Sequence, residues 1–134
     1  MREIKFRAWD CHEMLYDIFP TGKDRDCYSF INDMYYKCEN IMQYTGLKDK
    51  NGKMIFEGDI IDIHQTVNGC NLFIIEWNNF GFTIRYAMKM TTPRLYEYNV
   101  NEIFEPCKYC GEIYCEVIGN IYENPELLEV TNEQ

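Results

Sequence analysis

Apolar and polar residues alternate along much of the chain, which is the pattern of half-buried β-strands. The clearest alternation runs from Phe82 to Met90 and gives a strand with a core face and a wet face. Ile4–Trp9 and Met14–Ile18 alternate as well and predict an N-terminal β-hairpin around residues 10–13. Because an isolated hairpin is only marginally stable, we expect this one to pack on the rest of the protein or on another subunit.

The stretch from Met42 to Ile63 is the densest in turn signals. A strand over Ile41–Leu47 is followed by Asn51-Gly52, two residues that tolerate the positive φ of tight turns. Met54–Phe56 predicts a short return strand, and Ile60–His64 predicts a third strand. A hairpin, a sharp turn and a further strand are typical of small, strongly bent β-barrels.

Five residues of this stretch are expected to define its turns. Glycine permits the sharp change of direction between strands, and carboxylates beside it often accept hydrogen bonds from turn amides. The turn-defining residues are Gly46, Asn51, Gly52, Gly58 and Asp59.

Three other segments are less regular. Apolar residues in Cys27–Cys38 fit a helical face, but the aromatic content and the β-rich surroundings favour strands or irregular structure. Asn68-Gly69 predicts another hairpin, followed by a strand over Asn71–Trp77 that is apolar on both faces. In the last strand, Ile113–Tyr122, Gly119 indicates a bulge or a close approach. Asn124-Pro125 then predicts the start of a short helical turn.

Three blocks of sequence resemble the YopX family of phage and prophage proteins. They are the central MQYTGLKDKNG followed by IFEGDII, REIKFRAWD near the start, and EVIGNIYENPELL near the end. The resemblance implies an SH3-like small barrel in the C-terminal part, a phage or prophage setting, and self-assembly. It implies no particular biochemical activity.

The predicted fold is mainly β. Residues 1–40 would form an N-terminal β-hairpin and a variable insert, and residues 41–134 an SH3-like barrel with a C-terminal tail containing a short helical turn. The 134-residue length suits one domain, or a small domain with an appendage. Hydrophobic content of 46% can support a sizeable core.

Charge and cysteine content restrict the class of function. A formal charge of −9 argues against nonspecific nucleic-acid binding, which depends on Lys and Arg neutralising phosphates. The acidity fits either plain solubility or a surface that meets a basic partner. We expect a cytoplasmic protein of the bacterial host, since no leader peptide or apolar run of about 20 residues is present. Its seven cysteines would then stay reduced as free thiols.

Cys107-x-x-Cys110 is the strongest candidate for special chemistry. Tetrahedral zinc needs four ligands, and Cys115 could supply a third. A fourth would have to come from Cys70, His64 or His12, so free thiols are the preferred interpretation and no metal or cofactor is expected.

No catalytic residue is predicted. His12 lies in a predicted turn and His64 on the polar face of a strand, and neither belongs to a known catalytic motif. Glu57 and Asp59 are expected to bond turn amides. The sequence therefore favours a protein that is not an enzyme.

The 16% aromatic content has two interpretations. Either the rings fill the core, or some of them form an exposed surface for a partner or another subunit. Candidates for that surface are Trp9, Tyr44, Tyr96, Tyr98 and Tyr122.

Three hypotheses on function follow. The first is a phage-derived accessory protein that forms a homo-oligomer and binds a host or phage protein, without a membrane and without direct nucleic-acid binding. The second is a zinc-stabilised accessory protein of nucleic-acid processing, and the third is an enzyme with a site between subunits.

Overall fold

The protein is built from short antiparallel strands. The computed structural model describes residues 3–22, 26–38, 40–67, 70–78, 81–86, 98–99 and 115–128. The strands are β1 (Phe6–Trp9), β2 (Met14–Pro20), β3 (Asp26–Ser29), β4 (Met34–Lys37), β5 (Asn40–Lys48), β6 (Met54–Phe56), β7 (Asp59–Val67), β8 (Cys70–Asn78), β9 (Gly81–Tyr86), β10 (Tyr98–Asn99) and β11 (Glu116–Asn120). A 3₁₀ helix spans Pro125–Leu128. The prediction of a mainly β protein is confirmed.

The described strands form two antiparallel sheets. The first has six strands in the order β4-β3-β2-β1-β5-β6, and the second has five in the order β10-β9-β8-β7-β11. Neither order closes on itself within the described strands. None of the described helices is long and apolar enough to cross a bilayer.

The N-terminal strands are an extension of the central stretch. β1 and β2 form the predicted hairpin, and β1 also pairs with β5 in the register Phe6↔Gln43 to Trp9↔Asn40. The hairpin therefore packs on the rest of the protein, as expected. The helical interpretation of Cys27–Cys38 is wrong and the strand interpretation is right, because β3 and β4 pair across a turn in which Asp33 has a φ of 51°.

The first central turn is closed by Asp49. One oxygen of its buried carboxylate accepts the backbone N–H groups of Asn51 and Lys53, each at 2.9 Å. The other oxygen accepts the backbone N–H of Val117 at 2.9 Å. One side chain thus shapes the β5–β6 turn and joins it to β11, 68 residues further along the chain.

The second central turn depends on Gly58, whose φ is 84°. Its N–H donates to the carbonyl of Ile75 at 2.8 Å, and its carbonyl accepts the N–H of Ile121 at 3.0 Å. A Cβ there would lie 3.2 Å from the sulfur of Met42. Both the backbone conformation and the limited space favour glycine at this position.

The buried side chains that the structure describes form three clusters. The largest lies on one face of the five-stranded sheet and includes Ile55 of β6, and a smaller cluster on the opposite face contains Ile60 and Ile74. A third lies on the six-stranded sheet and consists of Ala8, Leu15, Ile18, Cys27 and Cys38. Because Ile55 belongs to the largest cluster, β6 packs on the second sheet while pairing with the first.

The last strand is irregular at Gly119, as the sequence predicts. The β7–β11 register shifts between Val117 and Gly119. A Cβ on Gly119 would lie only 2.5 Å from the side-chain oxygen of Asn124. That oxygen instead accepts the N–H of Asn120 at 3.1 Å. The predicted helical turn follows as the 3₁₀ helix.

Candidate interaction surface

A row of aromatic side chains crosses three strands of the six-stranded sheet. Phe19 of β2 is paired with Tyr28 of β3, and Tyr28 is paired with Tyr35 of β4, so these three side chains share one face. Phe30 packs edge-on against both Phe19 and Tyr28, with ring centroids 5.5 and 4.9 Å apart. We call Phe19, Tyr28, Phe30 and Tyr35 the aromatic ladder.

The aromatic ladder is open to solvent. Relative exposure is 49% for Phe19, 64% for Phe30 and 72% for Tyr35. Ile31, in the turn between β3 and β4, is also exposed. Single exposed apolar residues are ordinary on a protein surface, but a contiguous group of this kind marks an interaction site. Ring-to-ring contact can hold the ladder in place, at about 0.5–1.5 kcal/mol per pair, but it does not remove these rings from water.

The ladder ends at an edge strand. Within the described structure β4 pairs with β3 alone, and a sheet edge presents backbone donors and acceptors that another strand can use. Opposite charges flank this edge. The carboxylate of Asp33 precedes β4 and accepts a hydrogen bond from the Tyr28 hydroxyl, while Lys37 closes β4 and lies 3.7 Å from Asp26.

Two buried thiols lie within the sheet that carries the ladder. The sulfurs of Cys27 and Cys38 are 2.9 Å apart, and both side chains belong to the cluster of the six-stranded sheet. Burial, together with contact with Cys27, raises the pKa of Cys38 to about 12. Burial likewise raises the pKa of Cys115 to about 12. Since the thiolate is the reactive form, neither Cys38 nor Cys115 is suited to nucleophilic chemistry.

We expect alkylation to distinguish these cysteines. A pKa of about 12 instead of 9.0 makes the thiolate fraction of Cys115 roughly a thousand times smaller, and burial limits access further. Native protein treated with iodoacetamide at pH 7.5 should be modified at the exposed Cys11 and not at Cys38 or Cys115. Peptide mapping by mass spectrometry gives the occupancy of each site. Equal labelling of Cys11 and Cys115 before unfolding would contradict this assignment of burial.

An ion pair beneath the central turn was missed at the sequence level. Arg7 Nη2 lies 2.8 Å from Asp59 Oδ1, and the two side chains are 3% and 2% exposed. The same nitrogen donates to the carbonyl of Glu57 at 3.0 Å, and the guanidinium lies over the ring of Phe56. Burial raises the pKa of Asp59, and Arg7 opposes that rise. This pair ties β1 to the β6–β7 turn.

Three of the five predicted interaction residues, Trp9, Tyr44 and Tyr122, have described side chains. Trp9 and Tyr122 are half-buried and stack at a centroid distance of 5.8 Å. Tyr44, expected on the surface, is only 3% exposed because β5 lies between β1 and β6 and its ring packs on Phe56. Tyr96 lies outside the described residues, and for Tyr98 the description extends to its backbone in β10 only.

The ladder residues were not among the sequence candidates. Tyr28, Phe30 and Tyr35 are close together in the sequence, which could have indicated a shared surface. They share one face of a sheet only if Cys27–Cys38 forms two paired strands. Because a helix was also considered for that segment, this aromatic surface was not predicted.

Of the five residues expected to define turns, Asn51, Gly52 and Gly58 lie in turns, whereas Gly46 lies within β5 and Asp59 is the first residue of β7. Gly46 and Gly52 have φ values of 87° and 82°. Asn51 donates from its side chain to Glu116 at 3.1 Å as well as from its backbone to Asp49. Asp59 accepts the N–H of Phe56 at 2.8 Å in addition to its pairing with Arg7.

The possible metal ligands are not assembled by the described structure. Cys107 and Cys110 lie outside the described residues, and Cys115 is buried in the largest cluster. Among the residues that are described, no three His, Cys, Asp or Glu side chains are grouped as a metal site would require.

Comparison with known proteins gives a family and a structural relative. The family model described as YopX protein matches residues 5–129. The crystal structure of protein EF1440 from Enterococcus faecalis is similar, with 28% identity and a TM-score of 0.61. The match covers 96% of this chain and 99% of that one. No curated protein matches the chain.

Proposed function

The chain belongs to the YopX family, and we propose that it is a non-enzymatic accessory protein of phage or prophage origin that self-associates and binds a further protein. The observation that carries the proposal is the aromatic ladder, an exposed apolar face that continues to a sheet edge. Exposed aromatic groups of this type are enriched at protein interfaces. The phage or prophage setting is what the family resemblance implies, and the cytoplasm of a bacterial host is the location expected from the sequence.

A second copy of the chain is the occupant that fits the edge of β4. In an antiparallel pair of two β4 strands centred on Tyr35, Asp33 of one copy would oppose Lys37 of the other, and the reverse. Opposite charges facing each other across strands are stabilising, and like charges are not. Two antiparallel copies of the sequence DMYYK are therefore complementary to each other in charge.

The aromatic rings supply the apolar part of this interface. Two Tyr35 side chains would meet at the two-fold axis, and each ladder would continue across it. Tyrosine is among the residues that most often dominate interface energies when they become desolvated at the centre. Backbone hydrogen bonds between the paired edges would add strand-to-strand recognition of the kind seen in β-augmentation.

We expect Tyr35→Lys to weaken self-association strongly. Loss of a central aromatic contact costs about 2 kcal/mol or more, or roughly thirtyfold in the dissociation constant. Lys37→Glu should also weaken it, because Glu would then face Asp33 of the second copy. Sedimentation equilibrium over a range of protein concentrations measures the constant.

Ile118→Lys is the matched control, since Ile118 is an exposed apolar residue on β11 of the other sheet. It should leave the dissociation constant unchanged. A monomeric wild-type protein at all concentrations would overturn the self-association proposal, as would loss of association in the Ile118 variant alone.

We also infer that residues 41–134 hold an SH3-like barrel with a C-terminal tail, to which residues 1–40 are appended. Support comes from Ile55 of β6, which packs with Phe73 and Ile84 of the five-stranded sheet although β6 pairs with β5. A hairpin folded over a strongly bent sheet is how small barrels are built.

A further inference from the structure

Two cysteine side chains meet on the inner face of the sheet, beneath the aromatic ladder. Cys27 of β3 is paired with Tyr36 of β4, and both point to the face opposite Tyr28 and Tyr35. Cys38 is the first residue after β4. Its Sγ atom lies 2.9 Å from that of Cys27. The chain thus places one thiol on β3 next to another at the end of the edge strand.

Both thiols are enclosed by apolar side chains. Cys27 is 0% exposed and Cys38 is 2% exposed. Ala8, Leu15 and Ile18 complete their cluster, and close packing restricts each side chain to few positions. Burial raises the pKa of Cys38 to about 12 and so disfavours its thiolate, whereas a disulfide carries no charge. The cluster therefore suits a disulfide as well as it suits two thiols.

The two sulfurs are already close to bonding distance. A disulfide bond is roughly 2.03–2.05 Å long, so closure from 2.9 Å brings the sulfurs about 0.9 Å nearer to each other. Buried Cys115 is placed differently, because it belongs to the cluster of the five-stranded sheet. Cys27 and Cys38 are therefore the pair that the fold prepares for this bond.

We propose that Cys27 and Cys38 form a reversible dithiol–disulfide site that reacts with small-molecule disulfides such as oxidised glutathione. When the edge strand opens locally, a thiolate of the pair attacks one sulfur of glutathione disulfide and one glutathione leaves as a thiol. On reclosure the second cysteine displaces the other glutathione. One S–S bond breaks in glutathione and one forms in the protein. The two cysteine protons and two electrons end on the two reduced glutathione molecules.

The disulfide would link β3 to the end of the strand that the proposed self-association uses. Three of the four residues of β4 are exposed, and within the described strands β4 pairs with β3 alone. A covalent link at its end would restrict β4 before a second copy pairs with it, which lowers the cost of ordering the interface. This regulatory consequence rests on the proposed self-association, whereas formation of the disulfide does not.

The first measurement detects the disulfide in the folded, full-length protein. The protein is kept overnight in about 1 mM reduced and about 0.1 mM oxidised glutathione, quenched with acid, and treated with N-ethylmaleimide to block remaining thiols. Trypsin cleaves after Lys37, so Cys27 and Cys38 fall in separate peptides, 26–37 and 38–48, each with one cysteine. Mass spectrometry gives the fraction of these peptides that is joined.

More than half of the two peptides should be joined, in chains that migrate as monomers on a denaturing gel without reductant. That buffer requires an effective thiol concentration of about 10 mM, which a thiol held beside its partner should exceed. Cys38→Ala should abolish the joined peptide. Cys11→Ala is the matched control, because it removes an exposed thiol of the β1–β2 turn and should leave the yield unchanged. A joined fraction below half, or an equal loss in Cys11→Ala, would overturn the proposal.

The second measurement compares self-association before and after oxidation. In sedimentation equilibrium the oxidised protein should have a dissociation constant about fivefold lower than the reduced protein. Cys38→Ala treated in the same way should show no change. Joined peptides with an unchanged dissociation constant would overturn the regulatory role of the disulfide. A monomer in both states would overturn the self-association itself and leave the peptide result as it stands.

Discussion

Replacing Arg7 with methionine should lower the free energy of unfolding by about 3–5 kcal/mol. Methionine has a similar unbranched side chain, so the space next to Phe56 would remain filled. The loss comes from the carboxylate of Asp59, which is 2% exposed and would keep only the hydrogen bond from the Phe56 amide. Urea unfolding followed by circular dichroism measures the change.

Asp59→Asn tests the same pair from the other side. Asn can still accept the Phe56 amide, but it leaves the guanidinium of Arg7 buried beside a neutral group. The double variant Arg7→Met, Asp59→Asn should lose much less than the sum of the single losses, because both buried charges are then gone. A coupling free energy near zero would show that the two groups do not depend on each other.

Lys37→Met provides the matched surface comparison. Lys37 forms a 3.7 Å ion pair with Asp26 on an exposed edge strand, and exposed pairs contribute only about 0–1 kcal/mol. If Arg7→Met lowers the free energy of unfolding by no more than Lys37→Met does, the Arg7–Asp59 pair does not stabilise the contact between β1 and the central turn.

The elements of the central stretch could be predicted because their determinants are local. Asn51-Gly52 and Glu57-Gly58-Asp59 lie between short apolar runs, and both turns occur where those residues are. Positive φ is accessible to glycine at little steric cost, so its position in a β pattern is informative by itself. Gly119 is favoured for a different reason, which is lack of space, because the side chain of Asn124 occupies the position of a Cβ.

Arg7 could not be placed from the sequence. Alternation assigns it to the polar face of β1 with Lys5 and Trp9, and that face is usually wet. What covers it is the β6–β7 turn, about fifty residues away. Strand order decides whether a polar face is covered, and alternation carries no information on strand order.

Tyr44 and the aromatic ladder show that the sequence alone does not predict whether an aromatic side chain is buried or exposed. Tyr44 has a polar neighbour on each side in sequence and yet is buried, since β5 is an inner strand of its sheet. Tyr35 is in an equally aromatic segment and is exposed, because β4 is an edge strand with nothing described beyond it. An aromatic residue alone does not reveal which of these positions it will occupy.

Asp49→Ala should be the second strongly destabilising substitution, with an expected loss of about 3–5 kcal/mol in the free energy of unfolding. Alanine removes the acceptor of three backbone N–H groups, those of Asn51, Lys53 and Val117. A hydrogen bond to a charged group contributes about 1.5–3 kcal/mol, and a buried donor left without a partner costs about 1–3 kcal/mol. Water can reach the exposed turn amides more readily than the Val117 amide, which limits the total.

Asp49→Asn should lower the free energy of unfolding by an intermediate amount. Its amide oxygen can still accept from the turn amides or from the Val117 amide, but its NH₂ group then faces the remaining backbone donor. Glu13→Ala removes an exposed carboxylate of the same charge and should change stability by less than about 0.5 kcal/mol.

Amide hydrogen exchange adds a local test. In Asp49→Ala, protection should fall at Asn51, Lys53 and Val117 together, since one carboxylate serves all three. Loss at the turn with full protection at Val117 would show that β11 is held to the central stretch by its pairing with β7 and not by Asp49.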